Sequence, residues 1–319
     1  MISEKVILGI DTSNYTTSVA VVDINGKVIA NLKRPLQVKE GERGLRQSDA
    51  LFLHTVNIPS LMQEAKELLN GNVPIAIGVS SRPRNVEGSY MPCFLAGLAA
   101  AESASAVSGI PIYSFSHQCG HIMAAVLSSG DDHILDNEFA AFHISGGTTE
   151  LVKVKTVDSG FETELFGGTA DVNAGQIIDR VGVLMGLRFP AGPHLEKLAL
   201  ENKKKIPKRK ISNSGMTVNL SGLENMATKL YYETEDKSLV SAFVLDFIGR
   251  SIIAMSEAYE SEFGKTTFVY AGGVMCNSII RKMLSERFDA VFAEPPLSAD
   301  NAVGVAELAR RAFLKEGRF

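Results

Sequence analysis

Apolar, β-branched runs separated by polar turns open the chain. Residues 6–10 and 17–22 flank the polar stretch 11–16, and residues 28–31 follow the turn Asn25-Gly26. Short strands bounded by turn formers predict a three-stranded meander. The pattern returns at residues 139–144, 150–154 and 161–166, with Ser145-Gly146-Gly147-Thr148-Thr149 as its first turn. A repeat of this kind predicts an internal duplication.

Between and after the meanders, helical and strand patterns alternate. The first half predicts a helix over 48–69, a strand at 75–79, a helix over 91–108 and a strand at 112–115. The second half predicts helices over 171–185 and 192–201, an irregular region at 203–220 and a long helix over 238–263. A strand at 267–270, a helix after Cys276, a strand at 290–292 and a last helix over 302–314 follow. This order predicts α/β lobes with mixed or parallel sheets. Turn formers at 128–133 set a boundary. The expected lobes are residues 1–130 and 131–319, with an insertion near 202–237 and the final helix, 302–319, packing back on the first lobe. Two duplicated lobes around one cleft suggest the actin-like ATPase superfold, with the paired turns holding nucleotide phosphates.

Composition narrows the setting. The 319 residues are 45% hydrophobic and 21% charged, as in ordinary globular proteins. Three widely spaced cysteines, Cys93, Cys119 and Cys276, disfavour a disulfide framework and fit a reducing cytoplasm. No uninterrupted apolar stretch reaches the roughly 18 residues of a membrane span, so no membrane role is expected. A net charge of −4 argues against a generic nucleic-acid coat. The basic run at 203–210 reads either as a solvated loop or as an RNA-contacting surface.

Particular residues carry the chemistry. His117 and His121 lie four apart at a predicted helix start, so both imidazoles share a face and can bind one transition metal; two partly exposed histidines are the plainer reading. Gln118 stands where an H-E-x-x-H peptidase needs its glutamate, which argues against proteolysis. The Ser145-Gly146-Gly147-Thr148 turn suits an oxyanion, and equally a tight hairpin. Ala271-Gly272-Gly273 with Asn277 offers bare backbone to a nucleobase or ribose, or is a packed turn. Arg82 and Arg84, around Pro83, are either anion clamps or surface arginines.

In order, His117-Gln118-Cys119-Gly120-His121, Ile144-Ser145-Gly146-Gly147-Thr148-Thr149, Ala174-Gly175-Gln176-Ile177-Ile178-Asp179, Phe189-Pro190-Ala191-Gly192-Pro193, Leu220-Ser221-Gly222-Leu223, Ala271-Gly272-Gly273-Val274 with Asn277, and Ala299-Asp300-Asn301 resemble the tRNA threonylcarbamoyltransferase (TsaD) family along nearly the whole chain. The resemblance implies metal-dependent transfer of a threonylcarbamoyl group from threonylcarbamoyl-adenylate to the exocyclic amine of the tRNA adenosine beside the anticodon. It implies that His117, His121 and Asp300 hold one divalent transition metal, iron or zinc. It further implies that Ile144, Ser145, Gly146, Gly147, Thr148, Asp179, Gly192, Glu196 and Asn277 bind the adenylate or ATP. The partners it implies are tRNA, the adenylate-forming enzyme and accessory subunits of a modification complex.

The chain departs from the family pattern in several places. Asn14-Tyr15-Thr16 replaces an acidic pair, Thr148 replaces histidine, residues 171–176 differ ahead of the Ala-Gly motif, and residues 81–90 replace a Gly-Pro-Gly loop. These changes keep two other readings open: a nucleotide-binding regulatory paralogue without full catalysis, and a carbamoyltransferase with a non-tRNA acceptor.

Overall fold

A computed structural model of the protein describes residues 4–13, 15–38 and 44–317. The first sheet is built from β1 (Lys5–Ser13), β2 (Thr16–Asp23) and β3 (Val28–Pro35), then β4 (Val73–Arg82) and β5 (Ile112–Ser116). Its five strands run in the order β3-β2-β1-β4-β5, antiparallel through the meander and parallel from β1 to β5. Helices α1 (Gln47–Leu68) and α2 (Phe94–Ser108) close one face.

After α3 (His117–Ser129) and a 3-10 turn at Asp132–Asp136, β6 (Phe139–Ile144), β7 (Thr149–Val157) and β8 (Gly160–Thr169) repeat the meander. Helices α4 (Ala174–Leu184) and α5 (Gly192–Glu201), the short strands β9 (Asn213–Ser214) and β10 (Thr217–Val218), and helices α6 (Ser221–Thr234) and α7 (Lys237–Phe263) follow. Strand β11 (Phe268–Ala271), α8 (Ser278–Ser285), β12 (Ala290–Phe292), α9 (Pro295–Ser298) and α10 (Val303–Lys315) complete the chain. The seven-stranded second sheet is ordered β12-β11-β6-β7-β8-β10-β9. Its β12-β11-β6-β7-β8 portion repeats the strand order and directions of the first sheet, so the sequence duplication is a duplication of topology.

Two expectations need correction. The polar stretch after residue 10 is not all turn: Asp11, Thr12 and Ser13 continue β1, paired with Ser18, Thr17 and Thr16, and are buried. Hydrogen bonds offset much of the cost of burial: Thr12 Oγ1 donates to the Cys93 carbonyl and Ser13 Oγ to Asp11 Oδ2, while Asp11 Oδ1 has no partner among the described residues. Asn14 lies outside the described residues. The region at 203–220 contains the β9/β10 hairpin, which extends the sheet through β8. Helix α7 is by length and composition the single helix among the described residues apolar enough to cross a membrane, but Asp246 and Arg250 interrupt its apolar run and it is mostly buried in the second core.

The seam between the sheets is built by exchanged helices. Helix α3 sends Ile122, Met123 and Val126 into the cluster that holds Val269 and Ala271 of β11. Helix α10 lies on the first sheet, where a Cβ on Gly9 would fall 2.3 Å from the Ala302 carbonyl oxygen. The two helices cross at Gly120 and Gly304, and a Cβ on Gly304 would sit 1.8 Å from the Gly120 carbonyl oxygen. Only glycine permits that approach.

Two outcomes follow. Gly304→Ala gains about 1 kcal/mol of helix propensity, but the crossing must open, at about 1–3 kcal/mol of overpacking. We expect a lower melting temperature; an unchanged or higher one contradicts the tight crossing. His54, fully buried with Nδ1 2.8 Å from Thr17 Oγ1, is pushed down to about 4 by burial against the pull of Asp11 and Asp300. The unfolded chain binds that proton near pH 6.5, the folded chain only near 4, so stability falls as pH drops through this window, by up to ~3 kcal/mol. His54→Gln removes that part of the pH slope in denaturation titrations; a slope equal to wild type contradicts it.

Candidate active site in the inter-lobe cleft

Three of the six histidines in the chain meet at the seam. Ser116 caps α3 by accepting from the Cys119 N–H, which starts the helix at His117 and places His117 and His121 one turn apart. Their rings lie 4.4 Å apart, edge to face. Asp300 arrives from the turn between α9 and α10, with Oδ1 3.6 Å from His117 Nε2 and 3.3 Å from His121 Nε2. Asn301, not Asp300, accepts from the Val303 N–H at the start of α10, so Asp300 is left for the cleft.

Strand β6 brings a histidine that sequence reasoning did not single out. Ligand atoms of His117, His121 and His143 lie within 4.8 Å of one another. The available signal was an ionisable residue inside the otherwise apolar strand at 139–144, directly before the Ile-Ser-Gly-Gly turn. A strand offers no i,i+4 partner, so spacing alone gave it no role.

Behind His117 stands Asp11, fully buried, whose Oδ2 is 3.0 Å from His117 Nδ1. A carboxylate on one ring nitrogen leaves Nε2 free to face the centre, the usual arrangement around a ligating imidazole. Burial opposes charge on His117, but Asp11 and Asp300 outweigh it and push the imidazole up to about 10. Burial and the neighbouring positive charge push His121 and His143 down, so both are neutral donors. Burial acts against ionisation of Asp300, yet the two imidazoles hold it well below the carboxylate range. Two carboxylates around three imidazoles form a donor set that suits a divalent transition metal.

The centre opens into a cavity of about 900 Å³, whose lining includes His117, His143, Asp300, Tyr15, Arg84 and residues 145–149. Gly146 is exposed in its wall, and a Cβ there would meet no protein atom. Nothing in the protein's packing demands that glycine, which leaves its backbone open to a ligand. The N-terminus of α4 faces the same turn, where the Ala174 N–H donates to Thr149 Oγ1 and Gly175 packs on Ser145. A helix N-terminus beside exposed peptide groups favours an anion.

The other expected ligand-binding residues sit differently. Ile144 is buried in β6, and Asp179, Gly192, Glu196 and Asn277 do not line the large cavity. Asp179 Oδ1 accepts from the Ala191 N–H, Glu196 Oε1 from the Ser278 N–H, and Asn277 Oδ1 caps α8 at the Ile280 N–H. Gly273 has open space at its Cβ position, whereas Gly272, at φ +96°, is required by the backbone and by the Ile144 carbonyl.

Arg82 and Arg84 divide in role. Arg82 is held by Ser81 and Asn85 on its own loop. Arg84 reaches across the cleft to Glu150 of β7, which also accepts from Gln118 Nε2 at 2.9 Å. In the basic run, Lys204 pairs with Asp236 and Lys208 with Asp246, while Lys203, Lys205, Arg209 and Lys210 are solvent-exposed.

Comparison with known proteins places this geometry. Among solved structures, HypF from T. kodakarensis superposes with a TM-score of 0.63 at 13% identity, over 99% of this chain and 48% of that one. The chain thus spans about half the length of that protein. Component A of the Acidaminococcus fermentans (R)-2-hydroxyglutaryl-CoA dehydratase gives 0.55 at 15% identity, over 98% of this chain and 99% of the other. At these identities the likeness is one of fold, the actin-like ATPase fold. The tRNA N6-adenosine threonylcarbamoyltransferase of Sulfurihydrogenibium sp. is 30% identical over 98% of this chain and 92% of its own. That of Thermosipho africanus is 27% identical over 97% and 95%. The family model for TsaD, tRNA N6-adenosine threonylcarbamoyltransferase, matches residues 33–307. The chain therefore belongs to the tRNA N6-adenosine threonylcarbamoyltransferase family of transferase enzymes.

Proposed function

We propose that the protein transfers a threonylcarbamoyl group from threonylcarbamoyl-adenylate to the exocyclic amine of the tRNA adenosine beside the anticodon. The observation that carries this reading is the convergence of His117, His121 and Asp300 on one point of the cleft, in a chain of this family. In the reaction the amine nitrogen forms a bond to the carbonyl carbon, the bond from that carbon to the phosphate oxygen breaks, AMP leaves and the amine loses a proton. The donor carbonyl is already activated as a mixed anhydride, so alignment and stabilisation of developing negative charge are the main requirements.

The residues divide that work. His117, His121 and Asp300 would hold a divalent transition metal, with Asp11 fixing the His117 ring. When bound, the metal supplies a positive charge that polarises the transferred carbonyl. Residues 145–148 and the N-terminus of α4 receive the phosphate, while Asp179, Glu196 and Asn277, which lie outside the lining of the large cavity, are the groups assigned to the ribose and base. The closed bonds of those three at Ala191, Ser278 and Ile280 keep one carboxylate or amide face of each fixed. Exposed lysines at 203–210 are the basic surface for an RNA acceptor, and the adenylate-forming enzyme and accessory subunits are the expected partners. Cys119 and Cys276 are free thiols, as suits the reducing cytoplasm proposed for this chemistry.

One observation favours a second reading, transfer to a non-tRNA acceptor. Arg84 occupies the cavity from a loop that departs from the family pattern, and a guanidinium there suits an acceptor bearing a carboxylate.

The deciding assay combines the protein with threonine, bicarbonate, ATP, the adenylate-forming enzyme and tRNA, with nucleosides read by mass spectrometry. Modified adenosine is expected, falling by roughly 100-fold or more in Asp300→Ala, the scale of losing a main charge-stabilising group. Nucleotide binding without any product contradicts the assignment, and product on a small molecule selects the second reading. Gly273→Val, which meets no protein atom at its Cβ, is expected to weaken adenylate binding with an unchanged melting temperature. Unchanged affinity by calorimetry removes the proposed backbone contact.

A further inference from the structure

Among the described residues, His143 is the histidine with both ring nitrogens fully buried and without a hydrogen-bond partner. His54 uses Nδ1 on Thr17 and His117 uses Nδ1 on Asp11, whereas His143, 2% exposed, has no bond from Nδ1 or Nε2 among the described residues. Each unsatisfied buried polar group costs about 1–3 kcal/mol. A histidine serving only as core filler would be satisfied at one nitrogen at least.

The surroundings of the ring identify what it lacks. Along β6, Phe139, Ala141 and His143 alternate onto one face, and Phe139 and Ala141 join the cluster beneath α3, so the imidazole points at that helix and not into the second core. Its ring centroid is 4.9 Å from that of His121 and 5.9 Å from that of His117. From the other side, the Gly272 backbone presses against it, since a Cβ on Gly272 would lie 3.1 Å from His143 Cδ2. The ring is thus held in place with a nitrogen directed at the point where the other two imidazoles meet. His121 Nε2 likewise lies 3.3 Å from Asp300 Oδ1 without forming a hydrogen bond. Two unpartnered imidazoles and a carboxylate converging on one spot are the arrangement of ligands, not of a hydrogen-bond network.

We infer that His143 is a direct protein ligand of the metal proposed above, giving a centre of three imidazoles and one carboxylate. The inference rests on that proposal and adds two properties to it. A third imidazole shifts the preference toward zinc, iron or cobalt and away from magnesium or manganese, which favour oxygen donors. A fourth protein ligand would leave fewer positions open to the reacting group and so narrow the orientations in which it can be seated.

The test uses full-length protein without a histidine tag, loaded with Co(II) as the probe, comparing wild type with His143→Ala and His143→Phe. The phenylalanine variant keeps the strand apolar and filled should the alanine variant fail to fold. X-ray absorption is expected to count three imidazoles in wild type and two in the variants, and competition titration to show Co(II) affinity weakened by about tenfold or more. Two imidazoles in wild type, or folded variants with unchanged affinity and imidazole count, overturn the role of His143 while leaving a centre of His117, His121 and Asp300 standing. Folded wild type that takes up no Co(II) overturns both.

Discussion

The crossing of α3 and α10 at Gly120 and Gly304 is the constraint on which the site depends. One helix belongs by sequence to the first lobe and packs on the second sheet, and the other ends the chain and packs on the first sheet. Their contact is backbone to backbone, so the turn ahead of α10 comes within reach of the first turn of α3. That places Asp300 beside His117 and His121, 183 and 179 positions earlier (300 − 117 and 300 − 121), in a protein whose cleft would otherwise separate them. A methyl group at the crossing would move the carboxylate and the imidazoles apart together.

Charge completes what packing begins. Asp11 sits at the buried end of β1, where an unpaired carboxylate would be expensive, and His117 pairs with its Oδ2. The same bond turns His117 Nε2 toward Asp300. Without a metal, a proton on His117 serves two carboxylates. A divalent ion would take over that role with more charge and more ligands, which is the physical reason for reading the cluster as a metal centre. The turn at residues 145–148, proposed to receive the phosphate, lies along the same cavity, so that proposal puts substrate phosphate and substrate carbonyl against different parts of one wall.

Much of this was legible in the sequence, and unevenly. The duplicated meanders declared themselves because strand periodicity and turn residues are local signals. The spacing of His117 and His121 was readable because a helix maps four residues onto one face. Asp300 carried no such mark; only the resemblance to the family joined it to the histidines, because contacts set by a helix crossing leave no local spacing. His143 escaped because strand alternation fixes a face but not a partner. Asp11 to Ser13 were misread as turn because polar side chains in a strand look like a loop until their hydrogen bonds are known. Helix α6 and the β9/β10 hairpin stand on tertiary contacts, such as the Leu220 and Ser221 N–H groups donating to Asp171, and these too are invisible to periodicity.

The central claim is that the seam between the lobes is a metal centre. Crystals of the tag-free protein loaded with one equivalent of cobalt, measured on both sides of the cobalt absorption edge, test it most directly. The account requires a single strong anomalous peak bonded to His117 Nε2, His121 Nε2 and an Asp300 oxygen. Density for ordered water at that point with no anomalous signal, or a cobalt peak held by other residues, contradicts it.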